Sequence, residues 1–164
     1  MEDRPRYHNE RDLVAEREIA AEIEAACGIQ LQTTILSEWA YRIDFCLSGG
    51  WRKPVLGYAE VKNRPNLVYR KYSGYQIAAH KVAFAQLLRA SGIDVKSWAF
   101  VRAQDGAIYC AEFGHKPLRQ ILGGRTDRGN VYDVEPMAII PWEDFQPLAK
   151  AAEFFKLQLA RGAE

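Results

Sequence analysis

Tyr41-Arg42-Ile43-Asp44-Phe45-Cys46-Leu47, the turn Ser48-Gly49-Gly50 and its continuation to Pro54, then Val55-Leu56-Gly57-Tyr58-Ala59-Glu60-Val61-Lys62 form the stretch on which the fold turns. Successive side chains of an extended chain point to opposite faces. Ile43, Phe45 and Leu47 therefore share one face, and Arg42, Asp44 and Cys46 the other. In the second half, Val55, Gly57, Ala59 and Val61 lie opposite Leu56, Tyr58, Glu60 and Lys62. With glycines between them, the halves read as antiparallel neighbours. Pairing Leu47 with Val55 sets Asp44 across from Tyr58 and makes Glu60 its diagonal neighbour, roughly 7–8 Å away at the backbone. A slip of one residue would turn Asp44 to the wrong face, so register decides whether the carboxylates meet.

Working outward, residues 10–27 carry helical periodicity, with Leu13, Ala20, Ile23 and Cys27 on one stripe and Gly28 as the stop. Residues 29–36 are β-prone. After a polar, tyrosine-bearing loop over residues 63–73, the spacing predicts a second helix over Gly74–Ala90, with Ile77, Phe84, Leu87 and Leu88 on its apolar side. Ser97–Ala103 and Ala107–Phe113 form a hairpin about Gln104-Asp105-Gly106. Residues 114–130 read as a glycine- and arginine-rich loop, Tyr132–Pro141 as a further strand, and residues 143–161 as a helix interrupted at Pro147. Helices interleaved with strands in this way predict a mixed α/β sheet flanked by helices.

Two carboxylates on one strand face can hold a cation between their oxygens. Hard oxygen donors select magnesium or manganese over softer metals. A cation so held neutralises a phosphodiester and lowers the pKa of a bound water. A neighbouring ammonium stabilises charge on the phosphoryl oxygens or orients the water, and the sequence leaves open which role Lys62 has. Standing alone, Glu60-Val61-Lys62 is more often the wet face of an amphipathic strand. Its weight comes from the surrounding elements.

Those elements, with Tyr41-Arg42-Ile43-Asp44-Phe45 followed by Glu60-Val61-Lys62, resemble the PD-(D/E)XK nuclease superfamily. The resemblance implies a restriction-endonuclease-like fold, with an α-β-β-β-α-β core over roughly residues 10–103 and C-terminal additions. It implies Asp44, Glu60 and the intervening Val61 at a metal, and Lys62 as the catalytic lysine. Ile43 stands where the family nominally has proline. The implied activity is magnesium-dependent hydrolysis of DNA, duplex or branched, with manganese as a substitute metal. A small structure-selective or repair- or recombination-type endonuclease fits a chain without obvious accessory domains. The alternatives are a catalytically inactive nucleic-acid-binding module of the same fold, an exonuclease, or an RNA-directed enzyme.

Weaker signals surround this centre. On a helical wheel Glu16 falls inside the apolar stripe, whereas Glu18 and Glu22 point away. A carboxylate there needs a partner or a metal, and similar nucleases often place an acid on this helix; an arginine partner or a stem reaching solvent serves equally. Gln76 and His80, one turn apart in the predicted helix, partly match the Q-x-x-x-Y of RecB-like members, giving Gln76 a supporting catalytic role or an ordinary polar face. Arg64, Tyr69, Arg70, Lys71 and Tyr72 in the loop leaving Lys62, together with Lys81, Arg119, Arg125 and Arg128, are candidates for phosphate and base contacts.

Bulk properties are permissive. The 164 residues fit a single domain, and 48% apolar content supports a core. A net charge of +1 conceals an acidic N-terminal region and basic stretches over residues 62–72 and 115–130. Cys27, Cys46 and Cys110 form no C-x-x-C pair, so neither a zinc ribbon nor a disulfide framework is indicated. With no long apolar run and a charged start, the chain is expected to be soluble and cytoplasmic. A homodimer would suit a small enzyme that cuts two strands, but no residue signals one.

Overall fold

A computed structural model describes residues 10–33, 43–124 and 134–162. In chain order the first elements are α1 (Glu10–Cys27), β1 (Gln30–Thr33), β2 (Phe45–Ser48), β3 (Val55–Asn63), β4 (Gly74–Ala78) and α2 (Ala79–Ala90). There follow β5 (Lys96–Arg102), β6 (Ile108–Phe113), β7 (Arg119–Gly124), β8 (Val134–Pro141), a 3-10 turn (Trp142–Asp144), β9 (Gln146–Pro147) and α3 (Leu148–Arg161).

The central sheet has the order β1-β2-β3-β5-β6-β9. It is mixed, because β3 and β5 run parallel while the other pairs are antiparallel. The α2 helix lies in the β3-to-β5 connection, as a parallel pair requires a crossover. A second sheet, order β4-β8-β7, sets the expected strand β8 between two segments expected to be helix (β4) and loop (β7). Gly74–Ala78 is a strand, not the start of the helix: Tyr75 and Ile77 are buried with period two, and the strand pairs with β8. At Gly74 any side chain would run into the Ile140 carbonyl oxygen, so glycine permits the close approach. Residues 119–124 likewise form β7 against β8, where a loop was expected.

Two apolar clusters lie on either side of the central sheet. Phe45, Leu47, Ala59, Val61, Trp98 and Phe100 join Ile19, Ile23, Ala151 and Phe155 from α1 and α3. On the other side Ala99, Val101, Ala111 and Phe113 join Val82 and Ala85 of α2, with Tyr75, Ile77, Ala138 and Ile140 of the second sheet. Glu60 and Lys62, alternating with Ala59 and Val61, consequently face the α2 layer.

The β2–β3 register differs from the expected one by two residues. Leu47 pairs with Gly57, Cys46 with Tyr58 and Phe45 with Ala59, and an irregularity follows Leu47. A shift of two preserves the face, so the alternation survives. One step beyond Phe45↔Ala59, Asp44 comes opposite Glu60 rather than Tyr58.

The α1 stripe buries Glu16, Ile19, Ala20, Ile23 and Cys27. It ends at Gly28, whose φ of 70° suits a residue without Cβ and whose N–H donates to the Glu24 carbonyl at 2.9 Å. Leu13, expected on that stripe, is 45% exposed, because packing begins one turn later. Leu87 is also exposed, and α2 instead buries Val82 and Ala85. The three cysteines are free thiols. Among the described residues, no helix is long and apolar enough to cross a membrane.

Candidate active site

Five charged side chains converge where β2 and β3 stop pairing: Glu16 from α1, Asp44 before β2, Glu60 and Lys62 from β3, and Lys81 from α2. The Lys62 ammonium lies 2.8 Å from Glu16 Oε1, 3.0 Å from Asp44 Oδ2 and 3.5 Å from Glu60 Oε1. Lys81 Nζ lies 3.4 Å from Asp44 Oδ1 and pairs closely with Glu60 Oε2. Asp44 and Glu60 thus each give one oxygen to each lysine. Phe45↔Ala59 is the last pair of β2 and β3, and Asp44, Glu60 and Lys62 all lie just beyond it.

These side chains are only 6–20% exposed, so their charges depend on one another. Unpaired burial of any one would be costly. Burial opposes ionisation of Asp44, yet the Lys81 and Lys62 ammoniums prevail and hold its carboxyl below the usual carboxylate range. Glu60 behaves oppositely. Burial raises its carboxyl, the neighbouring Asp44 adds to the rise, and the two lysines offset only part of it. For Lys62, burial would lower the ammonium, but Glu60, Asp44 and Glu16 together hold it above the ordinary lysine value. Among the described residues, three acids and two ammoniums meet here.

The donor chemistry suits a hard divalent cation. The acids offer only oxygen, and Asp44 and Glu60 already hold one cation, the Lys81 ammonium, between them. Among the described residues, no group of three or more His, Cys, Asp or Glu side chains is gathered as a finished ligand set. The lysines stand between the acids instead.

The other candidates separate into those near this centre and those away from it. Val61 buries its side chain in the α1 core, so only its backbone is available between Glu60 and Lys62. Gln76 lies on the exposed face of β4, opposite buried Tyr75, and does not join the carboxylates. Its expected i, i+4 partner His80 is on α2 and lies 3.6 Å from Glu135 Oε2. Lys81, expected as a solvent-facing phosphate contact, is instead inside the carboxylate cluster. The sequence carried a signal for it: Lys81 lies one helical turn before Phe84 and Ala85, which pack toward the sheet, but reading β4 as helix obscured where the first turn lies.

In the loop leaving β3, Arg64 is exposed and its N–H donates to the Arg102 carbonyl at 2.9 Å. Tyr69 is packed rather than presented, stacked on Tyr109 at 3.8 Å and edge-on to Trp142. Arg70, at a φ of 64°, lies over the Tyr69 ring at 5.2 Å. Lys71 lies over Tyr72, which is 61% exposed. Arg119 is exposed on β7. Arg125 and Arg128 lie outside the described residues.

Residues 2–148 match the sequence model of a family described as "Phage putative PDDEXK endonuclease". The chain belongs to that PD-(D/E)XK endonuclease family. Among solved structures, this PD-(D/E)XK chain is similar to Hjc of Archaeoglobus fulgidus, a Holliday junction resolvase from an archaeal hyperthermophile. The two are 14% identical, the match covers 84% of this chain and 96% of that one, and the TM-score is 0.47. No curated protein matches the sequence.

Proposed function

We propose that this family member is a divalent-metal-dependent nuclease that hydrolyses DNA phosphodiester bonds. The carrying observation is the convergence of Asp44, Glu60 and Glu16 around Lys62 at the end of the β2–β3 pair. Asp44 and Glu60, helped by the Val61 carbonyl and Glu16, would hold magnesium, with manganese as its substitute. Bound there, the cation would supply phosphate neutralisation and a water of lowered pKa.

The remaining chemistry falls to the chain's own groups. Lys62 is positioned by Glu16 and Asp44, so its ammonium is oriented before substrate arrives, the condition under which one charge contributes most to a developing oxyanion. The partial burial of the acids strengthens these electrostatic interactions relative to open water. Arg70, Lys71 and exposed Tyr72 sit on the loop that leaves β3 one residue beyond Lys62, a placement that suits backbone phosphates and an unstacked base.

The test is a panel of linear, nicked, branched and single-stranded DNA, with matching RNA, incubated with magnesium and with chelator. Magnesium-dependent cleavage of one or more DNA forms is expected, and preference for nicked or branched forms would assign a structure-selective enzyme. Binding without cleavage in every arm would make the protein an inactive nucleic-acid-binding module.

A further inference from the structure

The two lysines of the cluster are held differently. Lys62 has a partner outside the Asp44–Glu60 pair, the Glu16 carboxylate at 2.8 Å. Among the described residues Lys81 has ion pairs only with Asp44 and Glu60, and it lies between them, contacting Oδ1 of one and Oε2 of the other. That is where a cation shared by the two carboxylates would be held. Lys81 is also the third residue of α2, whose first turn contains no acid. The positive end of a helix dipole disfavours an ammonium there, so the carboxylates, not the helix, keep Lys81 in place.

Resting on the metal-dependent reading above, we propose that Lys81 is an internal competitor for the divalent cation. Its ammonium offsets part of the negative charge of the Asp44–Glu60 pair in the metal-free protein and must withdraw before the two carboxylates could take up a metal. The four-carbon stem permits that withdrawal without moving α2. Lys62 stays, because Glu16 holds it independently. In the metal-free state Lys81 keeps the buried Glu60 carboxylate and the partly buried Asp44 carboxylate from destabilising the sheet end. In the loaded state it is displaced from between them.

The experiment is calorimetric titration of manganese and magnesium, without DNA, into wild type, Lys81→Met and Lys81→Arg, paired with thermal melting in chelator and in metal. Lys81→Met should bind manganese about 10–100-fold more tightly, the scale on which outer groups tune metal affinity. Its melting temperature should fall in chelator and recover more than that of wild type on adding metal. Lys81→Arg, which retains the charge, should stay near wild-type affinity. If Lys81→Met folds poorly, Lys81→Gln provides the same comparison. Equal or weaker binding by the uncharged variants, with wild type binding normally, would overturn the proposal alone. No binding by any variant at millimolar metal would overturn the metal-dependent reading and the proposal with it.

Discussion

Glu16 and Lys62, 46 residues apart in the chain, meet at 2.8 Å and join the first helix to the third strand at the charged cluster. The contact gives the acid inside the α1 stripe its partner. It also gives Lys62 a third carboxylate besides Asp44 and Glu60, from a different layer of the fold.

Glu16→Gln preserves shape and removes the charge, so Lys62 loses its independent anchor. Turnover or metal affinity should fall by about tenfold or more, within the range seen when groups orienting a metal site are removed. Glu18→Gln, on the exposed side of α1, should behave like wild type. Calorimetric metal titration and single-turnover cleavage of both variants check this, and equal behaviour of the two would remove Glu16 from the site.

Lys62→Ala should reduce the cleavage rate by about 10²–10³-fold, the usual scale for one preorganised electrostatic group. Metal binding should persist, because the oxygen donors are intact. Rate and affinity measured on the same preparation separate the two effects; lost metal affinity with a normal rate at saturating metal would contradict the assigned role.

The Glu60 carboxyl is lifted by burial, and by Asp44, against the pull of the lysines, up to about 7. Between the ordinary carboxylate range and that value, the native state therefore binds more protons than the unfolded chain. Stability of the metal-free protein should consequently decline as pH rises through this window. Glu60→Gln has no proton to lose and should flatten the decline. Denaturant melts in chelator from pH 5 to pH 8 provide the check, and identical slopes for both proteins would contradict the shift.

Replacing Arg70 and Lys71 together by alanine should weaken DNA binding and make its salt dependence shallower, by about 0.9 per lost duplex phosphate contact. The rate at saturating DNA should change little. Affinity measured across a salt series decides the point, and an unchanged slope would remove this loop from the phosphate contacts.

Much of the core was legible in the sequence because its signals are local. The α1 stripe and Gly28, the alternation of β3 and the β5–β6 hairpin depend on near neighbours. The β2–β3 register was displaced by two residues, since the irregularity after Leu47 is set by backbone geometry that composition does not encode. Asp44 kept its face because two is the strand period. The second sheet was missed for another reason. Gly74–Ala78 and Arg119–Gly124 are strands by virtue of pairing with β8, a non-local partner that outweighs weak local preference. That error placed Gln76 on the helix, away from its position on β4, and set Lys81 among the nucleic-acid contacts rather than with the carboxylates. The acids and Lys62 were legible from spacing and face; the second lysine required the position of α2.

The most direct measurement is cleavage of DNA by Glu60→Ala beside wild type, in magnesium and in chelator, with circular dichroism to verify the fold. Wild type should cut only with the metal, and the variant should remain folded and not cut. Full activity in folded Glu60→Ala would contradict the central claim that this carboxylate is part of the catalytic centre.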